Sequence, residues 1–186
     1  MCSSDLVIRL RDLLYGLMLR SGNDAAVAIA EYISGDVDSF AALMNQEAAA
    51  MGATRSHFVN PNGLPDENHY TCVYDMYLIF SNAIKNDTFV SIIGTTSYDV
   101  TYTDASGEAV THTWENTNQY LTGNATTPDG FQIVGGKTGT TGEAGYCLVL
   151  YSYNPSGQPI ISIVFKADGK SNLYLLMNEM LQGFAI

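Results

Sequence analysis

Leu10, Leu13, Leu14, Leu17 and Met18 recur at i, i+3, i+4, i+7 and i+8, the apolar stripe of an amphipathic helix. The stripe stops at Ser21-Gly22-Asn23, residue types that favour a turn. An Ala-rich helical pattern resumes from Asp24 to Ser34 and ends at Gly35. A third helix is predicted from about Val37 to Met51, with Phe40, Leu43, Met44 and Met51 on its apolar face and Gly52 as its C-cap. Arg55 to Tyr70 reads as a loop around Asn60-Pro61-Asn62-Gly63-Leu64-Pro65. Thr71 is placed to cap a fourth helix reaching Lys85, and Thr88 to Ile93 reads as a short fifth.

The period then switches from helical to alternating. Ser97 to Tyr102 and Ala109 to Trp114 flank Asp104-Ala105-Ser106-Gly107, the pattern of a β-hairpin. Phe131 to Val134 reads as a strand running into Gly135-Gly136-Lys137-Thr138-Gly139. Tyr146 to Tyr153 and Pro159 to Lys166 form a second hairpin about Asn154-Pro155-Ser156-Gly157. The apolar run Ile160 to Phe165 predicts a strand buried on both faces, and Leu173 to Phe184 a closing helix. A helical block over about 9–95 thus precedes an antiparallel sheet with one packed helix over about 96–186. Tyr74, Tyr77 and Tyr98 are assigned to the core, and Trp114 to packing. Cys72 and Cys147 are read as small buried apolar residues.

Composition narrows the function classes. Of 186 residues, 46 % are hydrophobic and 15 % charged, enough for a packed core. Eight Lys and Arg against 19 Asp and Glu leave a net charge of −11, which excludes a nucleic-acid partner. The three Cys, at 2, 72 and 147, share no metal-ligand spacing, and His57, His69 and His112 form no metal motif. No apolar stretch approaches the ~20 residues of a bilayer span. Met1 to Leu6 lacks the basic and apolar regions of a signal peptide, and Cys-Ser-Ser-Asp-Leu matches a translated sequencing adapter. Residues 1–6 are therefore expected to be a non-native tail on a chain whose start was lost.

Lys137 is the only Lys or Arg between Lys85 and Lys166, and it stands among Gly135, Gly136, Gly139 and Gly142. Glycines let backbone approach a ligand closely, although a turn lysine of no chemical role is the alternative. Gly136-Lys137-Thr138 would end a Walker A loop only with Gly at 131, where Phe131 stands, so a phosphate loop is rejected. What remains is Lys137-Thr138-Gly139 on a strand, preceded by Ser21-Gly22-Asn23 between two helices.

In that order, these triplets resemble the serine-type D-alanyl-D-alanine carboxypeptidases, the low-molecular-mass penicillin-binding proteins of peptidase family S11, related to serine β-lactamases. The likeness covers nearly everything after residue 8. It includes Asp12 to Leu19 leading into Ser21 to Ala26, the loop Asn60 to Leu64, His69-Tyr70-Thr71 with Tyr74-Asp75-Met76, and Asn116-Thr117-Asn118. Lys137 to Thr141 followed by Ala144 to Val149 is its most specific segment.

The resemblance implies an α/β (α+β type) transpeptidase fold, an antiparallel sheet flanked by helices with an all-helical subdomain. It makes residues 7–186 the C-terminal part of the catalytic domain, incomplete at the N-terminus. It implies an extracytoplasmic enzyme that removes the terminal D-Ala from peptidoglycan stem peptides through an acyl-enzyme, with no cofactor or metal. β-Lactam antibiotics would inhibit the complete protein, and membrane association would fall to segments outside this chain. Ser21 and Lys137 would pass a proton towards the departing D-Ala, and Asn23 would orient the substrate amide. Lys137, Thr138 and Thr140 would receive the substrate carboxylate, with Gly139 beside them and the Thr140 N–H in an oxyanion hole.

The family's Ser-x-x-Lys, which carries the nucleophile and its base, is missing. Asn82, Val134, Ile163 and Ala167 stand three before Lys85, Lys137, Lys166 and Lys170. The fragment is accordingly expected to be inactive alone. A class A-like β-lactamase is disfavoured by Gly22, where those enzymes carry Asp, and a non-catalytic peptidoglycan- or β-lactam-binding module is the other alternative.

Overall fold

The computed structural model describes residues 8–104 and 106–185. The tail assigned to residues 1–6, Cys2, and Ala105 of the first hairpin turn lie outside the described residues. Helix α1 spans Leu10–Arg20 and ends with Ser21 in the left-handed region (φ 54°), where the Gly22 N–H bonds to the Gly16 carbonyl at 3.2 Å. That closure turns the chain into α2, Asn23–Ser34, one residue earlier than its pattern predicts. Gly35 (φ 86°) terminates α2, and Asp36 caps α3, Val37–Ala50, by accepting from the Ser39 N–H at 2.7 Å.

A long loop follows, pinched where His57 and Tyr70 exchange backbone hydrogen bonds of 2.8 and 2.9 Å. Helix α4 spans Val73–Ala83 with Cys72 at its N-cap, so Thr71 does not cap it and Lys85 lies beyond its end. Asn86 caps the short α5, Asp87–Ile93, through the N–H groups of Thr88 and Phe89.

Among the described residues, strands β1 (Ser97–Thr103) and β2 (Ala109–Glu115) pair only with each other, a separate ribbon rather than part of one sheet. Strands β3 (Gln132–Thr141), β4 (Gly145–Tyr153) and β5 (Pro159–Ala167) form an antiparallel meander in the order β3-β4-β5. The closing helix α6, Lys170–Gln182, begins earlier than its apolar pattern suggests.

The three-stranded sheet is buried on both faces. On one, Leu148, Leu150 and Val164 meet Leu173, Met177 and Leu181 of α6. On the other, Val149 and Ile163 meet Phe80 of α4 and Ile93 of α5. Burial of each such side chain stabilises the fold by roughly 1.5–3 kcal/mol. Ser162, Ile163 and Val164 are all buried, which bears out the two-faced burial expected of the centre of β5. A third cluster joins Tyr15, Leu19 and Ile92, with Trp114 packed against it as expected.

Several burial assignments need correction. Tyr74 and Tyr77 are 57 % and 44 % exposed, because the buried face of α4 carries Asp75 and Phe80 instead. Cys72 and Cys147 are only half-buried. Tyr98, by contrast, packs against the third core cluster as assigned: it is half-buried, stacked on Tyr15 with ring centroids 3.8 Å apart and donating to the Asp12 carboxylate at 2.5 Å.

Candidate active site

Lys137 sits mid-strand on β3, opposite Val149 of β4. The glycines before it serve the fold rather than a ligand. A Cβ at Gly135 would lie 2.6 Å from the Ile93 carbonyl, and one at Gly136 would lie 2.3 Å from the Val149 carbonyl. They let β3 press against α5 and β4, which holds Lys137 at a fixed height over the helical block. Gly139 is different: only the Cys147 Cβ lies near a Cβ there, at 3.9 Å.

The ammonium of Lys137 donates to the Ser21 hydroxyl, and to the Thr138 carbonyl at 2.6 Å. This contact joins residues 116 positions apart and brings the two sequence motifs into one site. Ser21 reaches it from the left-handed turn between α1 and α2, a conformation that costs a non-glycine residue roughly 1–2 kcal/mol. Burial pushes the Lys137 ammonium down to about 8 from the ordinary lysine value of 10.5. No carboxylate bonds to it among the described residues. At neutral pH it is mostly charged, yet close enough to its midpoint to give up or regain a proton.

A cleft of about 540 Å³ opens beside this pair. One wall is the end of β3 with Lys137, Thr138, Gly139 and Thr140, and the other is the loop Asn60 to Leu64. Ser21 and Asn23 stand at the helical end, and Met44, Phe58, Met76 and Phe80 give it an apolar floor. The cleft thus gathers every residue singled out from the sequence: Ser21, Asn23, Lys137, Thr138, Gly139 and Thr140. Among them only Ser21 and Lys137 are joined by a hydrogen bond between two side chains among the described residues.

A second basin of about 260 Å³ shares Ser21, Thr138 and Thr140 with the cleft. It adds Arg20, Lys170 and Thr117, none of which the sequence reading assigned a role. The Thr117 hydroxyl lies 2.5 Å from that of Thr138, so the segment after β2 braces the strand that carries Lys137. Arg20 and Lys170 make this basin locally cationic in an acidic protein. Their signal was weak in sequence: Arg20 ends a helix, where a basic residue is ordinary, and Lys170 is a lone lysine far from either motif.

The peptidase S11 family model, D-alanyl-D-alanine carboxypeptidase, matches residues 2–169. The chain belongs to this family. A D-alanyl-D-alanine carboxypeptidase of Streptomyces sp. strain K15 is 34 % identical over 190 residues, covering 96 % of this chain and 62 % of that protein. The D-alanyl-D-alanine carboxypeptidase DacF of Bacillus subtilis strain 168 is 34 % identical over 172 residues, covering 92 % of this chain and 41 % of its own. This family member therefore spans less than two thirds of either curated relative. The crystal structure of the Streptomyces K15 DD-transpeptidase superposes with a TM-score of 0.86 at 32 % identity, covering 97 % of this chain and 70 % of that one. The α+β architecture expected from the motifs is the fold of this family member.

Proposed function

We propose that this chain is the cleft-bearing part of a serine-type D-Ala-D-Ala carboxypeptidase acting on peptidoglycan stem peptides outside the cytoplasmic membrane. The observation that carries the reading is the contact of Lys137 with Ser21 beside a cleft lined by Thr138 and Thr140. A serine hydroxyl attacks the carbonyl carbon between the two terminal D-alanines, and the C–N bond breaks as the amine of the departing D-Ala takes up a proton. Lys137 and Ser21 supply that proton path, and a lysine with its midpoint near 8 is suited to it. The free carboxylate of the substrate is received by Lys137 with the hydroxyls of Thr138 and Thr140, while Arg20 and Lys170 give its surroundings a positive potential. Asn23 orients the substrate amide, and the Thr140 N–H stabilises the oxyanion. Water then hydrolyses the acyl-serine.

The attacking serine belongs to a Ser-x-x-Lys that this sequence does not contain. The chain alone should therefore bind the peptide without cleaving it. Titration with diacetyl-L-Lys-D-Ala-D-Ala, followed by amide resonances, tests the site. Shifts concentrated at Ser21 and Thr138 to Thr140, absent with the L-Ala-L-Ala isomer, are expected. Equal response to both isomers, or none at these residues, would remove the reading.

A further inference from the structure

The cleft wall opposite β3 is closed on itself by side chains. Asn60 accepts from the Gly63 N–H at 2.8 Å and donates to the Leu64 carbonyl at 2.9 Å. Its base is fixed on one side by Asn45 of α3, which donates to the Phe58 carbonyl at 2.7 Å and accepts from the Phe58 N–H at 2.8 Å. Across the base runs one further link, from the Val59 N–H to Nδ1 of His69 at 3.1 Å. An N–H can only donate, so Nδ1 must present its lone pair and any ring proton sits on Nε2.

We infer that His69 is the positioning residue of this wall, a proton-sensitive latch that holds Val59 to Leu64 against the cleft only while its ring is neutral. Protonation places a hydrogen on Nδ1, so two donors face each other and the Val59 link is lost. The bridge at His57 and Tyr70 and the Asn45 clamp do not involve this ring, so the wall loosens without the loop unfolding.

The ring is held neutral by its surroundings. Burial lowers its proton affinity, and His57 acts in the same direction, whereas Asp66 on the same loop opposes both. The Phe58 ring meets His69 edge-on at 5.6 Å. The segment 59–69 has no Lys or Arg, and its charged residues are Asp66 and Glu67. Burial thus holds the His69 titration below its ordinary value, and the wall is latched at neutral pH and released in acid.

The consequence for peptide binding rests on the function proposed above; the latch itself does not. Hydrogen exchange of the chain, corrected for intrinsic rates and followed from pH 7 down through the His69 midpoint, reads the latch directly. The Val59, Gly63 and Leu64 amides are expected to lose protection by on the order of tenfold as His69 protonates, followed on its own ring resonances. His69→Gln keeps a neutral acceptor and should remove the pH response, while His69→Ala should lower protection at every pH. His57→Gln should keep the pH response, with its midpoint moved upward because His57 no longer opposes protonation of His69. Protection that does not change with pH, or a response abolished by His57→Gln instead of His69→Gln, overturns the latch. Diacetyl-L-Lys-D-Ala-D-Ala should bind more weakly below the His69 midpoint than at pH 7 in the unmodified chain but not in His69→Gln. If it binds at neither pH, the proposed substrate is wrong and the exchange data alone decide the latch.

Discussion

The hydroxyls of Thr117 and Thr138 meet at 2.5 Å, tying the segment after the β1–β2 ribbon to the strand that bears Lys137. The backbone adds a second tie, from the Thr117 N–H to the Leu19 carbonyl at 3.2 Å, next to the turn that presents Ser21. Thr117 therefore touches both halves of the site while standing in neither motif.

This relationship is testable by a double-mutant cycle with Thr117→Val and Thr138→Val. Each single change removes one partner of a half-buried pair and should cost about 0.5–1.5 kcal/mol, with a coupling of similar size. Chemical denaturation of the four proteins measures it. Fully additive costs would mean that the two hydroxyls do not support each other.

The titration of Lys137 gives a pH prediction with a definite sign. A lysine whose folded midpoint is about 8, below the 10.5 of an unfolded chain, binds its proton less readily when folded. Its burial thus costs stability below about pH 8, and that cost fades as pH rises towards 10.5. Lys137→Met should raise the melting temperature at pH 7, and most of this advantage should be gone by pH 10. In the unmodified chain, the Nζ resonance of Lys137 should titrate near 8. A midpoint near 10.5 would contradict the burial argument.

The glycines of β3 separate packing from chemistry. Gly135→Ala and Gly136→Ala would push a Cβ against backbone at 2.6 and 2.3 Å, which cannot be relieved by a side-chain rotation. Each should destabilise by about 1–3 kcal/mol, lowering the melting temperature by roughly 2–12 °C. Gly142→Ala meets nothing within 4 Å and should melt as the parent. Equal melting of all three would show that β3 has room to shift.

Most element positions were legible in the sequence because apolar periodicity reports local structure directly. Which face is buried was less so. Leu10 heads the stripe of α1 yet is 41 % exposed, while Asp12, Tyr15, Gly16 and Leu19 are buried. Their burial is decided by Tyr98 and Trp114, which arrive from far along the chain, and Gly16 is small so that the Trp114 ring can lie about 3.1 Å from where a Cβ would stand. Tyr74 fails for the mirror reason: aromatic character alone does not say which side of α4 meets the sheet. The site was readable where two motifs define it, at Ser21 and Lys137. Thr117, Arg20 and Lys170 were not, because their places in the basin follow from how distant loops and helix ends converge on β3.

The empty search for Ser-x-x-Lys predicts how the chain meets a penicillin. Ser21 is bonded to Lys137 but has no second lysine three residues on, where Asp24 stands. No fluorescent penicillin should remain covalently attached to this chain on a denaturing gel. A labelled band that vanishes on Ser21→Ala would show that Ser21 itself is acylated, and would force a different mechanism.

The charge of Lys137 should matter most in a protein that joins these residues to a Ser-x-x-Lys segment. Lys137→Ala removes the ammonium that contacts Ser21 and, on the proposed reading, one charge-assisted contact to the substrate carboxylate. Losing a contact of ~1.5–3 kcal/mol slows acylation about 10- to 150-fold, and loss of proton transfer adds a factor on the order of 10². The fold should survive, because the removed charge is a cost and not a support below about pH 8. Lys137→Arg separates the two roles: it keeps the positive charge but releases a proton poorly, so binding should recover further than turnover. The measurements are D-Ala release from diacetyl-L-Lys-D-Ala-D-Ala, split into kcat and KM, with thermal melting alongside. Normal melting together with near-parental D-Ala release by Lys137→Ala would reduce Lys137 to a strand residue and break the site assignment at its centre.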